Sequence, residues 1–320
     1  MSQSFSHRVL PYGDVDEFLA GAVPFLTEGV AAGDRVVAVT GLGSEVTLRE
    51  ALGARAERVE FVEADRWYAH PSRTLADCLA DAGAADGRGR RLRLLGEPAW
   101  TGRPPLEVLE WQRAESLVNV AFAGTGAQLL CPYSRALPAG VVASSRKTHP
   151  ETVRGRTVLP NPGFVDPWDY NAACDRDALP PPPPGAEEME VRQPDLYWLR
   201  LWVSDFAQLT PLPEEDVQRL LVAVTEVVTN AMRHGEPPVV LRMWVEPGEL
   251  VCEVGDAGSW RGGPDVGLVP PHAGVGRFGL WAVRLLCSLV QIRTGEGTTV
   301  RMRLRLPAVP SGTPVHSNTA

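Results

Sequence analysis

Glu226, Asn230 and His234 stand at four-residue intervals in EVVTNAMRHG, within a segment that otherwise reads as an apolar helix. A helix advances about 100° per residue, so groups four apart lie only about 40° apart and share one edge. An asparagine carbonyl is a hard-oxygen ligand suited to Mg²⁺, which binds few protein groups and keeps waters or phosphates. A glutamate one turn earlier can orient or deprotonate a nucleophile beside such a metal. Taken alone, the stripe reads first as the polar edge of an amphipathic helix.

Three downstream pieces change that reading. Asp256-Ala-Gly258 ends a strand, where a carboxylate can accept from an adenine amino group and glycine admits a ligand close to the backbone. Gly274-Val-Gly276-Arg-Phe-Gly279-Leu opens a helix whose free amides can cradle phosphates. Gly297-Thr298-Thr299 enters a last strand, where a hydroxyl could reach a base or a bridging water. Each piece is common by itself; the four in this order are specific. His234 reads as a structural helix-end residue.

In the N-terminal half, His7, Cys131 and His149 have side chains that can ligate zinc or another transition metal. They are far apart in sequence and show no ligand spacing, so the expectation is a buried structural cysteine and hydrogen-bonded histidines. No Walker A motif occurs, so this half has no phosphate loop of its own.

The elements that must position these groups follow from periodicity. RVVAVT (35–40), RVEFVEA (58–64), RLRLLGE (91–97) and AQLLCPY (127–133) read as buried strands. Residues 15–30, 44–54, 72–83 and 105–124 between them carry helical spacing, which predicts an α/β layer fold with a mainly parallel sheet. Further on, 195–209 and 213–235 read as helices. A hairpin is expected at Pro247–Gly248–Glu249, then a glycine-rich loop, a helix at GLWAVRLLCSL, and two strands turning at Gly295–Glu296–Gly297. Helices followed by a mostly antiparallel sheet make an α+β sandwich. Between the halves, LPPPPPGAEEME (179–190) should form a stiff polyproline spacer. A proline-rich ligand for a partner domain is the alternative, without the basic residues that usually accompany it. The expected division is 1–170, a linker at 171–192, a second domain at 193–307, and a disordered tail at 308–320.

The chain has 320 residues, enough for two cores, with 44% hydrophobic and 22% charged residues, as in globular proteins. A net charge of −8 argues against phosphate-backbone binding, and no helix-turn-helix or zinc-finger spacing supports direct nucleic-acid contact. Five scattered cysteines with no CxxC pair suit free thiols in a reducing compartment. The sequence shows neither a signal-peptide pattern nor an apolar run long enough for a membrane span, so a cytoplasmic location with no membrane partner is expected.

ExxxNAxxHG and GxGxxGLWxVR, with Asp256 and Gly258 between them, resemble the ATP-binding (GHKL) fold of gyrase, heat-shock 90 chaperones, histidine kinases and mismatch-repair ATPases. Within that group they most resemble anti-sigma factor serine/threonine kinases. The resemblance implies ATP and Mg²⁺ as cofactors, with Asn230 holding the metal and Glu226 as catalytic base or water-orienting carboxylate. It implies that Asp256 reads adenine beside Gly258. Gly274, Gly276 and Gly279 would shape a phosphate lid, and Thr299 or Thr298 would support the base. Implied partners are a sigma factor and a STAS-type anti-sigma antagonist, with a homodimer allowed. One departure is Ser259, where that motif carries a second glycine. A non-catalytic, ATP-gated scaffold remains the alternative. A histidine kinase is disfavoured because no histidine lies between His149 and His234 to serve a phospho-accepting helix.

His7, Tyr12, Gly96-Glu97-Pro98, Trp111, Asn119, Cys131-Pro-Tyr133 and Thr148-His-Pro150 resemble the MEDS sensory domain over about residues 5–168. That resemblance implies a RecA-like core lacking hydrolytic motifs, often joined to an anti-sigma ATPase. It also implies a small-molecule signal, with His7, Tyr12, Cys131, Tyr133 and His149 as the candidate sensory residues.

Overall fold

A computed structural model describes residues 4–176, 178–192, 195–259, 267 and 279–307. The chain divides into two units, one built on the chain up to Ala178 and the other on the chain from Leu179 onward.

The first unit runs β1 (Ser6–Tyr12), α1 (Val15–Ala32), β2 (Arg35–Thr40), α2 (Leu42–Leu52), β3 (Glu60–Glu63), α3 (Ala64–Trp67) and α4 (Pro71–Asp86). It continues through β4 (Leu92–Gly96), α5 (Pro105–Ala121), β5 (Gln128–Ser134), α6 (Ala139–Thr148), β6 (Glu151–Arg154), β7 (Thr157–Pro160) and α7 (Pro167–Cys174). The sheet order is β3-β2-β4-β5-β1-β6-β7, parallel throughout except for the antiparallel β6–β7 pair. The mainly parallel sheet expected from strand–helix alternation is therefore present. Central strands β2, β4 and β5 are buried nearly end to end, which is why they read as continuous apolar runs.

Two cores flank this sheet, and strand alternation decides which residue meets which. Leu10, Leu95 and Leu130 pack with Phe18, Leu26 and Leu48 of α1 and α2. Val9, Leu94, Leu129 and Cys131 pack on the other face with Cys78 of α4 and Trp111 of α5. Local signals start and stop α1: the Asp14 carboxylate caps the Glu17 amide at 2.9 Å, and Gly33 takes a φ of +76° at its end.

The second unit runs β8 (Glu187–Val191), α8 (Leu196–Gln208), α9 (Glu214–His234), β9 (Val239–Glu246), β10 (Glu249–Asp256), α10 (Gly279–Leu286), β11 (Leu289–Gly295) and β12 (Gly297–Arg305). The five strands form an antiparallel sheet in the order β11-β12-β10-β9-β8. Three acidic residues in its first turn favour α9 at the positive end of the helix dipole. Its apolar stripe, Val217–Leu220–Val224–Val227–Val228–Ala231, is buried, and the helix packs on β9, β10 and β12.

The reading of residues 171–192 as a linker needs correction. Residues 171–174 complete α7, and Asp175 just beyond it pairs with Arg113 of α5. Glu187–Val191 forms edge strand β8, with Glu188 bonded to Arg242 at 2.7 Å. Within the proline run, the Pro180 carbonyl accepts from Arg301 at 2.7 Å. Acidic residues alternating with Met189 and Val191 have the period of a half-buried strand, which composition alone disguised as spacer. The expected tail at 308–320 and most of the glycine-rich loop lie outside the described residues.

Candidate functional site

Two constellations emerge, one in each unit. In the second unit, Asn230 donates from Nδ2 to Glu226 Oε1 at 3.0 Å, so the predicted helix edge is a bonded pair. Both side chains are partly exposed. This bond uses the Asn230 amide nitrogen, so the carbonyl oxygen is the atom left to meet a ligand. His234 is exposed at the last position of α9.

The C-terminal end of α9 abuts the end of β10. A Cβ on Gly235 would stand 2.4 Å from the Asp256 carboxyl carbon. One on Gly258 would stand 2.7 Å from the Glu236 nitrogen and from the Gly235 Cα. One on Gly297, where φ is +107°, would stand 2.3 Å from the Asp256 carbonyl oxygen. Three glycines therefore let three backbone segments close around Asp256. Asp256 Oδ1 accepts from the Gly258 amide at 2.8 Å. Burial raises the Asp256 pKa above its ordinary value, while amide hydrogen bonds from Gly258 and Glu236 pull it back.

Antiparallel register separates the two threonines. Thr298 lies directly opposite Asp256, and Thr299 opposite Gly255. Thr298 shares its face with Val300, Met302 and Leu304, which are buried with the α9 side of the sheet. Its hydroxyl donates to the Gly258 carbonyl at 3.3 Å. Thr299 projects from the other face with Arg301 and Arg303. Gly279 begins α10, whereas Gly274 and Gly276 lie outside the described residues.

These groups have the donor chemistry a magnesium nucleotide needs: an amide carbonyl, a neighbouring carboxylate, and a second carboxylate in a turn that three glycines let close.

In the first unit, four buried side chains from different elements converge: His7 of β1, Glu115 of α5, Cys131 of β5, and His149 just after α6. His149 Nε2 stands 3.0 Å from Glu115 Oε1, and His7 Nε2 stands 3.5 Å from both Glu115 Oε1 and Cys131 Sγ. The imidazole centroids are 4.0 Å apart. Burial, reinforced by His149, lowers His7 from its ordinary value to about 4. Burial works to raise Glu115, but the two imidazoles beside it, His149 first, hold it well below the carboxylate range. Burial, with Glu115 beside it, pushes the Cys131 thiol up. A cavity of about 50 Å³, walled mainly by apolar side chains including Leu75, Trp111 and Phe122, adjoins His7, Glu115 and Cys131.

The predicted sensory set is thus brought together only in part. Tyr133 meets the His149 ring edge-on at 5.7 Å. Tyr12 leaves the set: five residues from His7 on one strand, it faces the opposite core and donates to Glu97 at 2.8 Å. Glu115 is the residue sequence reasoning missed. The sequence carries a signal for it, because Trp111, Glu115 and Asn119 are four apart on α5 and so share one face of the helix.

Residues 6–150 match the MEDS family, described as MEthanogen/methylotroph, DcmR Sensory domain. Residues 190–304 match the histidine kinase-like ATPase domain. The chain thus joins a MEDS-like domain to a histidine kinase-like ATPase domain. Among solved structures, the RsbU and RsbW domains of Rv1364c from Mycobacterium tuberculosis match at 20% identity with a TM-score of 0.29, over 39% of this chain and 33% of that one. This chain accordingly spans about a third of that solved chain. No curated protein matches. No helix among the described residues is long and apolar enough to cross a membrane.

Proposed function

We propose that the C-terminal domain binds Mg-ATP and works as a serine/threonine kinase-type anti-sigma regulator in the cytoplasm, under the influence of a sensory N-terminal domain. The observation carrying this reading is the Asn230–Glu226 pair on the helix that ends against Asp256, within the segment matching the histidine kinase-like ATPase domain. The RecA-like reading of the first unit, implied by the MEDS resemblance, rests on its mainly parallel sheet with a core on each face.

Asn230 would hold Mg²⁺ through its carbonyl, Asp256 would accept from the adenine amino group, and Thr298 would keep the Gly258 turn in place beneath it. Bound Mg-ATP supplies the γ-phosphoryl group and neutralises charge on its oxygens. Glu226 would take the proton from a Ser or Thr hydroxyl of a STAS-type antagonist as the new O–P bond forms and the β–γ bridging bond breaks, releasing ADP. The domain would hold a sigma factor when the antagonist is absent or phosphorylated.

Calorimetric ATP titration with Mg²⁺ tests the site, with Asn230→Ala expected to abolish binding; unchanged affinity removes Asn230. Transfer of labelled γ-phosphate to an antagonist encoded by a neighbouring gene tests the reaction. Glu226→Ala should bind ATP without transferring phosphate. ATP binding by the unaltered protein with no transfer to any such antagonist would make the domain an ATP-gated scaffold.

A further inference from the structure

The convergence of His7, Glu115, Cys131 and His149 is more than dense packing, because their hydrogen bonds decide which atoms face the centre. The His149 Nδ1 atom lies 2.8 Å from the Ser145 carbonyl, which can only accept, so Nδ1 carries the proton. Asn119 donates from Nδ2 to the Ser116 and Thr148 carbonyls, at 3.0 and 2.7 Å. Its Oδ1 is therefore an acceptor, and His7 Nδ1, 3.1 Å away, also carries a proton. In the neutral tautomers both Nε2 atoms then present bare lone pairs. His149 aims its lone pair at a carboxylate oxygen 3.0 Å away, and His7 aims its lone pair at that same oxygen and at a sulfur.

The Cys131 S–H can meet the His7 lone pair and a second proton on His149 can meet Glu115, and one divalent cation at the centre would replace both protons at once. An N–H held by a carbonyl or amide oxygen behind the ligating nitrogen is also the usual support of a metal-bound imidazole. Distances agree. Tetrahedral zinc, with bonds of about 2.0–2.3 Å, sets its ligands roughly 3.3–3.7 Å apart. The 3.5 Å separations of His7 from Glu115 and Cys131 fall in that range, the 3.0 Å between His149 and Glu115 would open by a few tenths of an ångström, and one donor atom from each of the four side chains falls within 4.8 Å of all the others. Two imidazoles, a thiolate and a carboxylate suit a borderline divalent ion, whose charge the two anions cancel.

We propose that His7 Nε2, His149 Nε2, Cys131 Sγ and a Glu115 carboxylate oxygen form a buried site for Zn²⁺ or a chemically similar divalent first-row ion. Asn119 is a positioning residue for it. Binding forms the metal–sulfur bond and releases the Cys131 thiol proton to solvent. The site is independent of the nucleotide reading, since no residue is shared.

The test uses the full chain, produced in zinc-supplemented medium without chelators. Elemental analysis should find about one zinc per chain. After stripping, Co²⁺ should return one equivalent with tetrahedral visible bands and a thiolate-to-cobalt charge-transfer band. Cys131→Ser should lose that charge-transfer band, and Cys174→Ser, a control outside the cluster, should keep it. Asn119→Ala should weaken zinc about 10- to 100-fold in chelator competition, a measurement that also serves if Cys131→Ser fails to fold. The proposal is overturned if the folded, unaltered chain takes up neither zinc nor cobalt stoichiometrically. It is equally overturned if Cys131→Ser retains the charge-transfer band.

Discussion

Gly258→Ala tests whether the recess around Asp256 is as tight as its backbone suggests. The added Cβ would lie 2.7 Å from the Glu236 nitrogen and from the Gly235 Cα, and 2.9 Å from Asp256 Oδ1. Two of the three are backbone atoms, and the Ala257 amide ties this turn to the Glu236 carbonyl at 2.8 Å, so no flexible side chain can yield. Relief requires the turn to move by roughly half an ångström or more, at an overpacking cost of about 1–3 kcal/mol. For a domain of this size that lowers the unfolding midpoint by about 3–6 °C per kcal/mol. If Asp256 moves with the turn, loss of a hydrogen bond to a charged group weakens ATP by about 1.5–3 kcal/mol, roughly 10- to 150-fold. Gly255→Ala is the control, because nothing stands within 4 Å of its Cβ position three residues upstream. Scanning calorimetry and ATP titration of both full-length variants read the two effects. Equal midpoints and equal affinities for the two variants would refute the close-approach argument.

Other outcomes follow from buried charge and buried thiols. Arg301→Ala strips Glu253 of its 2.6 Å partner and leaves, among the described residues, only Arg242 at 3.4 Å, so the urea midpoint should fall by the equivalent of about 3–5 kcal/mol; a change below about 1 kcal/mol would contradict it. Asp256→Asn should raise thermal stability at neutral pH while abolishing ATP binding, since the native carboxyl titrates above its ordinary value. The sign follows from linkage. A raised folded pKa gives stability that is full below the unfolded value of about 3.8 and lost as pH rises through the folded value, so the variant should lack that slope. Cys78 and Cys287 are buried, with thiols pushed up to about 12, whereas Cys174 is partly exposed. A disulfide reagent near pH 8 should therefore modify Cys174 first and all five thiols only after unfolding; fast native labelling of Cys78 or Cys287 would contradict their burial.

What the sequence determined by itself was whatever repeats within a single element. Helical spacing placed Glu226 and Asn230 on one edge, since a turn of helix brings i and i+4 together whatever surrounds them. Apolar runs marked β2, β4 and β5 because those strands are covered on both faces. Strand parity even held the information that His7 and Tyr12 face opposite ways. Tertiary structure decided everything that depends on register and crossing. Thr298 rather than Thr299 shares the face of Asp256 because β10 and β12 pair in one register, and a slip of one residue would exchange them. Glu115 joins His7, Cys131 and His149 only because β1 lies beside β5 while α5 and the end of α6 pack over them, bringing together residues up to 142 positions apart in sequence. No local pattern encodes that meeting. It comes from the order of strands in a closed-packed sheet, and from the hydrogen bonds that turn both imidazoles inward.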